Sequence, residues 1–172
     1  MQSVQSIARA LYRIVFRGGT PQRLQFSMPL LLAAVGLLLA GAIIGGRFFF
    51  ALSYVEIGLA LFTLLSGLYI ASALLTRSVP RARLRASLLT VLLLLGTAGT
   101  LFILLIPLGS IEGVVLGAGV FALLAVLSGT INAVHYARGS GRVNAVLLTL
   151  AFAALLGAFY ATLRWLLETV FS

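Results

Sequence analysis

The 172-residue sequence has no cysteine, no aspartate and no lysine, and it has only three glutamates and one histidine. Without cysteine there is no disulfide, no thiolate nucleophile and no sulfur metal site. Without lysine there is no Schiff base. Glu56, Glu112, Glu168 and His135 are scattered along the chain, which leaves neither a carboxylate pair for acid–base work nor a ligand cluster for a metal. Charge is scarce as a whole: 9% of residues are charged and 62% are hydrophobic. A soluble domain carries about a quarter charged residues. So few charges cannot coat a surface in water, which excludes a soluble globule and a disordered chain and leaves an integral membrane protein.

What charge there is divides the chain into long apolar windows. Uncharged stretches of 23, 20, 26, 25 and 21 residues lie between successive charged positions from Arg23 to Arg164. About 20 apolar residues cross a bilayer as a helix. Five spans are therefore expected: Phe26–Gly46, Ala51–Thr76, Ala86–Ile106, Gly113–Tyr136 and Val143–Leu163. Runs such as Leu92-Leu93-Leu94-Leu95 lack the alternation of a membrane β-barrel strand. The expected fold is an all-α, polytopic bundle of five transmembrane helices. Ala40-Gly41-Ala42 resembles a signal cleavage site, but the apolar run around it is longer than a signal core.

All twelve basic residues are arginines. With the N-terminus inside, Arg9, Arg13, Arg17, Arg23, Arg77, Arg81, Arg83, Arg85, Arg138 and Arg142 are cytoplasmic, and Arg47, Arg164 and the three glutamates are outside. The two sides then carry +10 and −1, which sum to the net +9. The positive-inside rule thus predicts an N-in, C-out topology, best suited to a bacterial inner membrane. The basic balance points to anionic lipid rather than to nucleic acid, because the arginines flank apolar segments.

Residues 3–17 are amphipathic. Arg9, Arg13 and Arg17 recur every four residues, Val4, Ile7, Leu11 and Ile14 lie roughly opposite, and Gly18, Gly19 and Pro21 follow. This pattern predicts a helix on the cytoplasmic surface, with its arginines at lipid phosphates. The chain is accordingly divided into an interfacial helix and linker, 1–25, and a transmembrane domain, 26–172.

Leu65-Ser66-Gly67 and Leu127-Ser128-Gly129 precede basic loops, and Leu88-Leu89-Thr90 and Leu147-Leu148-Thr149 follow them. Each repeat is a descending helix, a basic loop and an ascending helix, which makes a parallel repeat. Ser66-Gly67 before Arg77, Pro107 ending the third span and Ser128-Gly129 before Arg138 give residues 26–163 a layout that resembles the HdeD-like acid-resistance membrane proteins. That resemblance implies a non-enzymatic membrane role and brings no catalytic residues. The family usually has six spans, and it does not require the amphipathic N-terminal helix.

The candidate residues are few. Glu56 is expected about one and a half turns inside the second span, where a carboxylate needs a partner; Arg47 and Arg164 are the candidates for an intramembrane ion pair. Gly41, Gly45, Gly113 and Gly117 are spaced for close helix packing. Arg9, Arg13, Arg17, Arg77 and Arg81 are expected at lipid head groups. Ser128, Asn132 and His135 form a polar stripe against a neighbouring helix. Trp165 suits an interfacial aromatic belt, and Arg164 and Glu168 are spaced to pair. No catalytic, cofactor or metal residue is assigned. The expected role is a non-catalytic membrane protein, either an accessory subunit of a complex or a self-assembling protein, with other membrane subunits or itself as partner. The alternative is a small oligomeric transporter or channel using Glu56 as a proton or cation site.

Overall fold

The computed structural model describes residues 4–21, 24, 26–75, 79–108 and 112–171. Six α-helices follow one another: α1 (Val4–Arg17), α2 (Met28–Phe50), α3 (Tyr54–Leu75), α4 (Arg81–Leu105), α5 (Glu112–Arg138) and α6 (Arg142–Phe171). There is no strand among the described residues. Helices α2 to α6 are each long and apolar enough to cross a membrane.

The helix ends are set locally. Gly18 takes a φ of 61° after α1, and the next N–H, of Gly19, reaches back to the Arg13 carbonyl at 2.8 Å; glycine adopts this left-handed turn without a Cβ penalty. Pro80 precedes α4 and fixes φ where the helix starts. A short 3-10 turn at Ile106–Leu108 follows α4, because Pro107 cannot continue the α-helical hydrogen bonding. Gly139, at φ 63°, turns the chain between α5 and α6.

Several expected boundaries move. The fourth helix begins at Arg81 rather than Ala86, and the last continues to Phe171. A charge-free window measures what lies in lipid, whereas arginine is a good helix former and lets the helix run past it. The third helix begins at Tyr54, three residues later than the sequence suggested, for a reason that concerns Glu56.

Packing runs α2 on α4, α4 on α5, α5 on α6 and α6 on α3, with a lighter contact closing α3 onto α2. Helices α2 and α4 run side by side in the same direction, and glycines bring their backbones together. A Cβ added to Gly99 would stand 2.8 Å from the Gly41 Cα, and Gly96 faces the Ala34 carbonyl and Leu37. Such approach is how helices associate in lipid, where burying apolar surface contributes no hydrophobic gain. Ala10, Ile14 and Leu24 share a core with Ala34, Leu38, Leu89, Leu92 and Leu93, so α1 and the chain after it pack with α2 and α4. Outward, the molecule shows Leu116, Leu104, Val143 and Leu155, each more than two-thirds exposed. Only 6% of the apolar window of α6 is buried within the chain, so this helix is covered by lipid or by another protein.

The repeat has a counterpart in the packing. A side chain on Gly67 of α3 would overlap Leu156 of α6, and one on Gly129 of α5 would overlap Leu94 of α4. Gly67 and Gly129 are 62 positions apart, as are Leu94 and Leu156. The two antiparallel pairs therefore share one register. The Leu-Leu-Thr segments stand 59 apart, about one turn out of it, and the connections between the helices differ in length as well, 76–80 against 139–141.

Candidate functional site

Polar side chains collect at the two ends of the bundle. One end carries Arg47, Glu56 and Arg164. There α2 closes on Ala51, a left-handed residue at φ 50°, whose N–H and that of Leu52 both reach the Gly46 carbonyl. An L-residue in this conformation costs about 1 kcal/mol or more. The two hydrogen bonds help to offset that, as does the Arg47 guanidinium, which donates to the Leu52 carbonyl at 3.0 Å and stands 4.9 Å from the centre of the Tyr54 ring.

Ser53 then starts α3. Its hydroxyl accepts from the Glu56 N–H at 3.2 Å, and Glu56 Oε2 accepts from the Ser53 N–H at 2.8 Å and from the Ser53 hydroxyl at 2.9 Å. This is a reciprocal capping box, Ser-x-x-Glu. Glu56 therefore lies in the first turn of α3 and not one and a half turns within the span. Its other oxygen lies 3.7 Å from Arg164 Nη2 of α6. Arg47, the other candidate, has the Leu52 carbonyl and the Tyr54 ring as its described partners. Trp165 is exposed beside Arg164. The side chain of Glu168 lies outside the described residues.

The other end is rich in arginine. Arg81, Arg83 and Arg85 sit in the first turns of α4, and Arg138 and Arg142 flank the α5–α6 turn; Arg77 lies outside the described residues. Arg83 stands over Tyr136 at 5.7 Å and Arg85 over Phe26 at 5.8 Å. His135 Nδ1 meets the Ser140 carbonyl within the α5–α6 turn. Arg9, Arg13 and Arg17 are exposed along α1.

The stripe on α5 engages α1. Asn132 Nδ2 donates to the Ile14 carbonyl at 2.7 Å, and Ser128 Oγ donates to the Val15 carbonyl at 2.8 Å. The last carbonyls of a helix have no partner within it, and here α5 supplies one for each of two. His135 belongs to the turn instead. On the neighbouring face, Ser87 Oγ donates to the Ala133 carbonyl at 3.0 Å, which joins α4 to α5.

The four candidate packing glycines divide. Gly41 lies against Gly99 and Gly45 against Phe102, whereas Gly113 and Gly117 have nothing within 4 Å. Among the described residues no three of His, Cys, Asp and Glu gather where they could hold a metal ion.

Two apolar cavities lie among α2, α3 and α4. One, of about 290 Å³, is lined by Gly41, Gly99, Ile57 and Phe102 near the Glu56 end. The other, of about 280 Å³, is lined by leucines with Tyr69, Ser72 and Arg85 towards the arginine-rich end.

Five apolar spans with charged groups only near their ends make this chain an integral membrane protein of the polytopic helical class. The chain matches no family model, no curated protein and no solved structure.

Proposed function

We propose that the chain is a non-catalytic structural protein of a bacterial inner membrane, N-in and C-out, which works by docking helices of other membrane proteins or of its own copies. One observation carries this reading. In α4, Gly96 and Gly99 receive α2. In the 62-residue register the corresponding positions of α6 are Ala158 and Ala161, which are small, one methyl larger than glycine, and are exposed. The docking face that α4 fills from within the chain is left open on α6. Gly113 and Gly117 add a second open stretch on α5.

The use of the polar groups supports the same reading. Glu56 caps α3 and faces Arg164, Ser128 and Asn132 hold α1, and Ser87 joins α4 to α5. These are structural tasks. The HdeD-like layout implies a non-enzymatic role as well.

The test is the mass of the particle extracted gently from its membrane, for the native chain and for Ala161→Trp. A particle holding several copies or other subunits, reduced in mass by Ala161→Trp, is the expected result. A monomer of 18.2 kDa from both would overturn the proposal.

A further inference from the structure

We infer that the cavity at the arginine-rich end is a binding site for one anionic phospholipid, with an acyl chain between α3 and α4 and its phosphate at Arg85.

The site follows from how α3 packs. Gly67 draws α3 against Leu156 of α6, and the contact of α3 with α2 and α4 is correspondingly light. The cleft left behind, about 280 Å³, is lined by Leu65 and Leu68 of α3 and by Leu88 and Leu92 of α4. That volume is at the small end for ligand pockets. It is too small to hold a helix, whose diameter with side chains is about 10 Å, and it suits part of a single hydrocarbon chain. Its polar lining is confined to Tyr69, Ser72 and Arg85. Arg85 is exposed and stands 5.8 Å from the Phe26 ring, an aromatic contact that limits the wandering of its guanidinium. Arg81 and Arg83 lie in the preceding turn, and the positive end of the α4 dipole adds to the field.

An apolar cleft ending in a guanidinium has the polarity of a lipid. A free phosphate would leave the leucines bare, and a zwitterionic lipid would gain less from Arg85 and the positive end of α4. Guanidinium groups bind phosphate oxygens in a forked geometry. The second cavity shows the contrast. Of similar size and equally apolar, it has no charged residue in its lining, so it offers nothing to select a head group.

The experiment uses the full chain in mild detergent, titrated with dioleoylphosphatidylglycerol or dioleoylphosphatidylcholine and read by native mass spectrometry. One retained phosphatidylglycerol, in clear preference to phosphatidylcholine, is expected. Arg85→Gln should lower that preference about fivefold, the effect of one arginine near an anionic surface. Arg138→Gln, on α5 and away from the cleft, should leave it unchanged. Leu65→Trp, which fills the cleft, should lower retention of both lipids. Phosphatidylglycerol with a photoreactive acyl chain should label peptides of α3 and α4. Equal losses from Arg85→Gln and Arg138→Gln would show a diffuse charge effect and overturn the site, as would labelling centred on α5 and α6 or retention unaffected by Leu65→Trp.

Discussion

Leu156 of α6 occupies the hollow beside Gly67 of α3, and 62 residues earlier Leu94 of α4 does the same beside Gly129 of α5. The glycine and the leucine trade helices between the two pairs: the glycine lies on the first helix of each repeat and the leucine on the second. That is the contact pattern of two hairpins related by a two-fold axis. Such an arrangement gives each hairpin an equivalent outer face, and α2 covers only one of the two.

The glycines should consequently differ in what substitution costs. At Gly41 an added methyl meets the backbone of Gly99, which cannot yield without moving a helix. Gly41→Ala should destabilise the bundle by about 1–3 kcal/mol, the usual range for overpacking. At Gly67 the obstacle is the end of a leucine side chain, which can change rotamer, so Gly67→Ala should cost less. Gly113→Ala, facing open space, should be neutral or slightly stabilising as a single chain. Thermal unfolding of the three variants in detergent, followed by circular dichroism, checks the order. An equal response at Gly41 and Gly113 would contradict the glycine contact between α2 and α4.

The hold of α5 on α1 is open to a direct assay. Asn132 and Ser128 each donate one hydrogen bond to a terminal carbonyl of α1, worth about 1 kcal/mol apiece between helices in lipid. Replacing both by alanine should loosen the docked end while leaving α2 to α6 assembled. Trypsin should then cut after Arg13 and Arg17 faster than in the native chain, with cleavage at Arg142 unchanged. Equal rates of cutting at the α1 arginines would mean that Ile14 and Val15 of the core hold the helix unaided.

Much of this architecture was legible in the sequence, for a physical reason. Lipid leaves a helix as the only single-segment solution, so the uncharged windows located five helices, and Gly18 and Pro107 punctuate the chain where the structure turns. The polar details were harder. The box Ser53-x-x-Glu56 could have been read as a helix start, but counting apolar residues from Ala51 hid it and placed Glu56 too deep. The pairing of Ser128 and Asn132 with α1 links residues more than 100 positions apart, and no local pattern reports it. The difference between Gly41 and Gly113 is likewise tertiary. Both belong to the same small-xxx-small motif, and only the neighbouring helix decides which one is filled.

The polar cluster at the Glu56 end should rank its members by role. Ser53 holds the first turn of α3 through three hydrogen bonds with Glu56, whereas Arg164 approaches the same carboxylate at 3.7 Å with its side chain half exposed. Exposed ion pairs contribute little. Ser53→Ala should therefore lower thermal stability more than Arg164→Ala, and because both act on Glu56 the loss in the double variant should depart from the sum. Glu56→Gln keeps the shape and an acceptor oxygen, so it should fall between them. A larger loss from Arg164→Ala than from Ser53→Ala would move the weight from the cap to the ion pair.

Orientation in the membrane can be read with single cysteines, because the native chain has none and every label is then unambiguous. Gly141 is exposed in the arginine-flanked α5–α6 turn and Thr169 is exposed near the end of α6. The 27 residues between the two on one helix span roughly 40 Å at 1.5 Å per residue, so they fall on opposite sides of a bilayer about 30 Å thick in its hydrocarbon core. In a bacterial host, Thr169→Cys should react with an impermeant maleimide on intact cells, and Gly141→Cys only after the membrane is opened. The reverse pattern would place ten arginines outside against the positive-inside rule. It would also put the cleft beside Arg85 in the opposite leaflet, where its lipid would have to be supplied from the outer face.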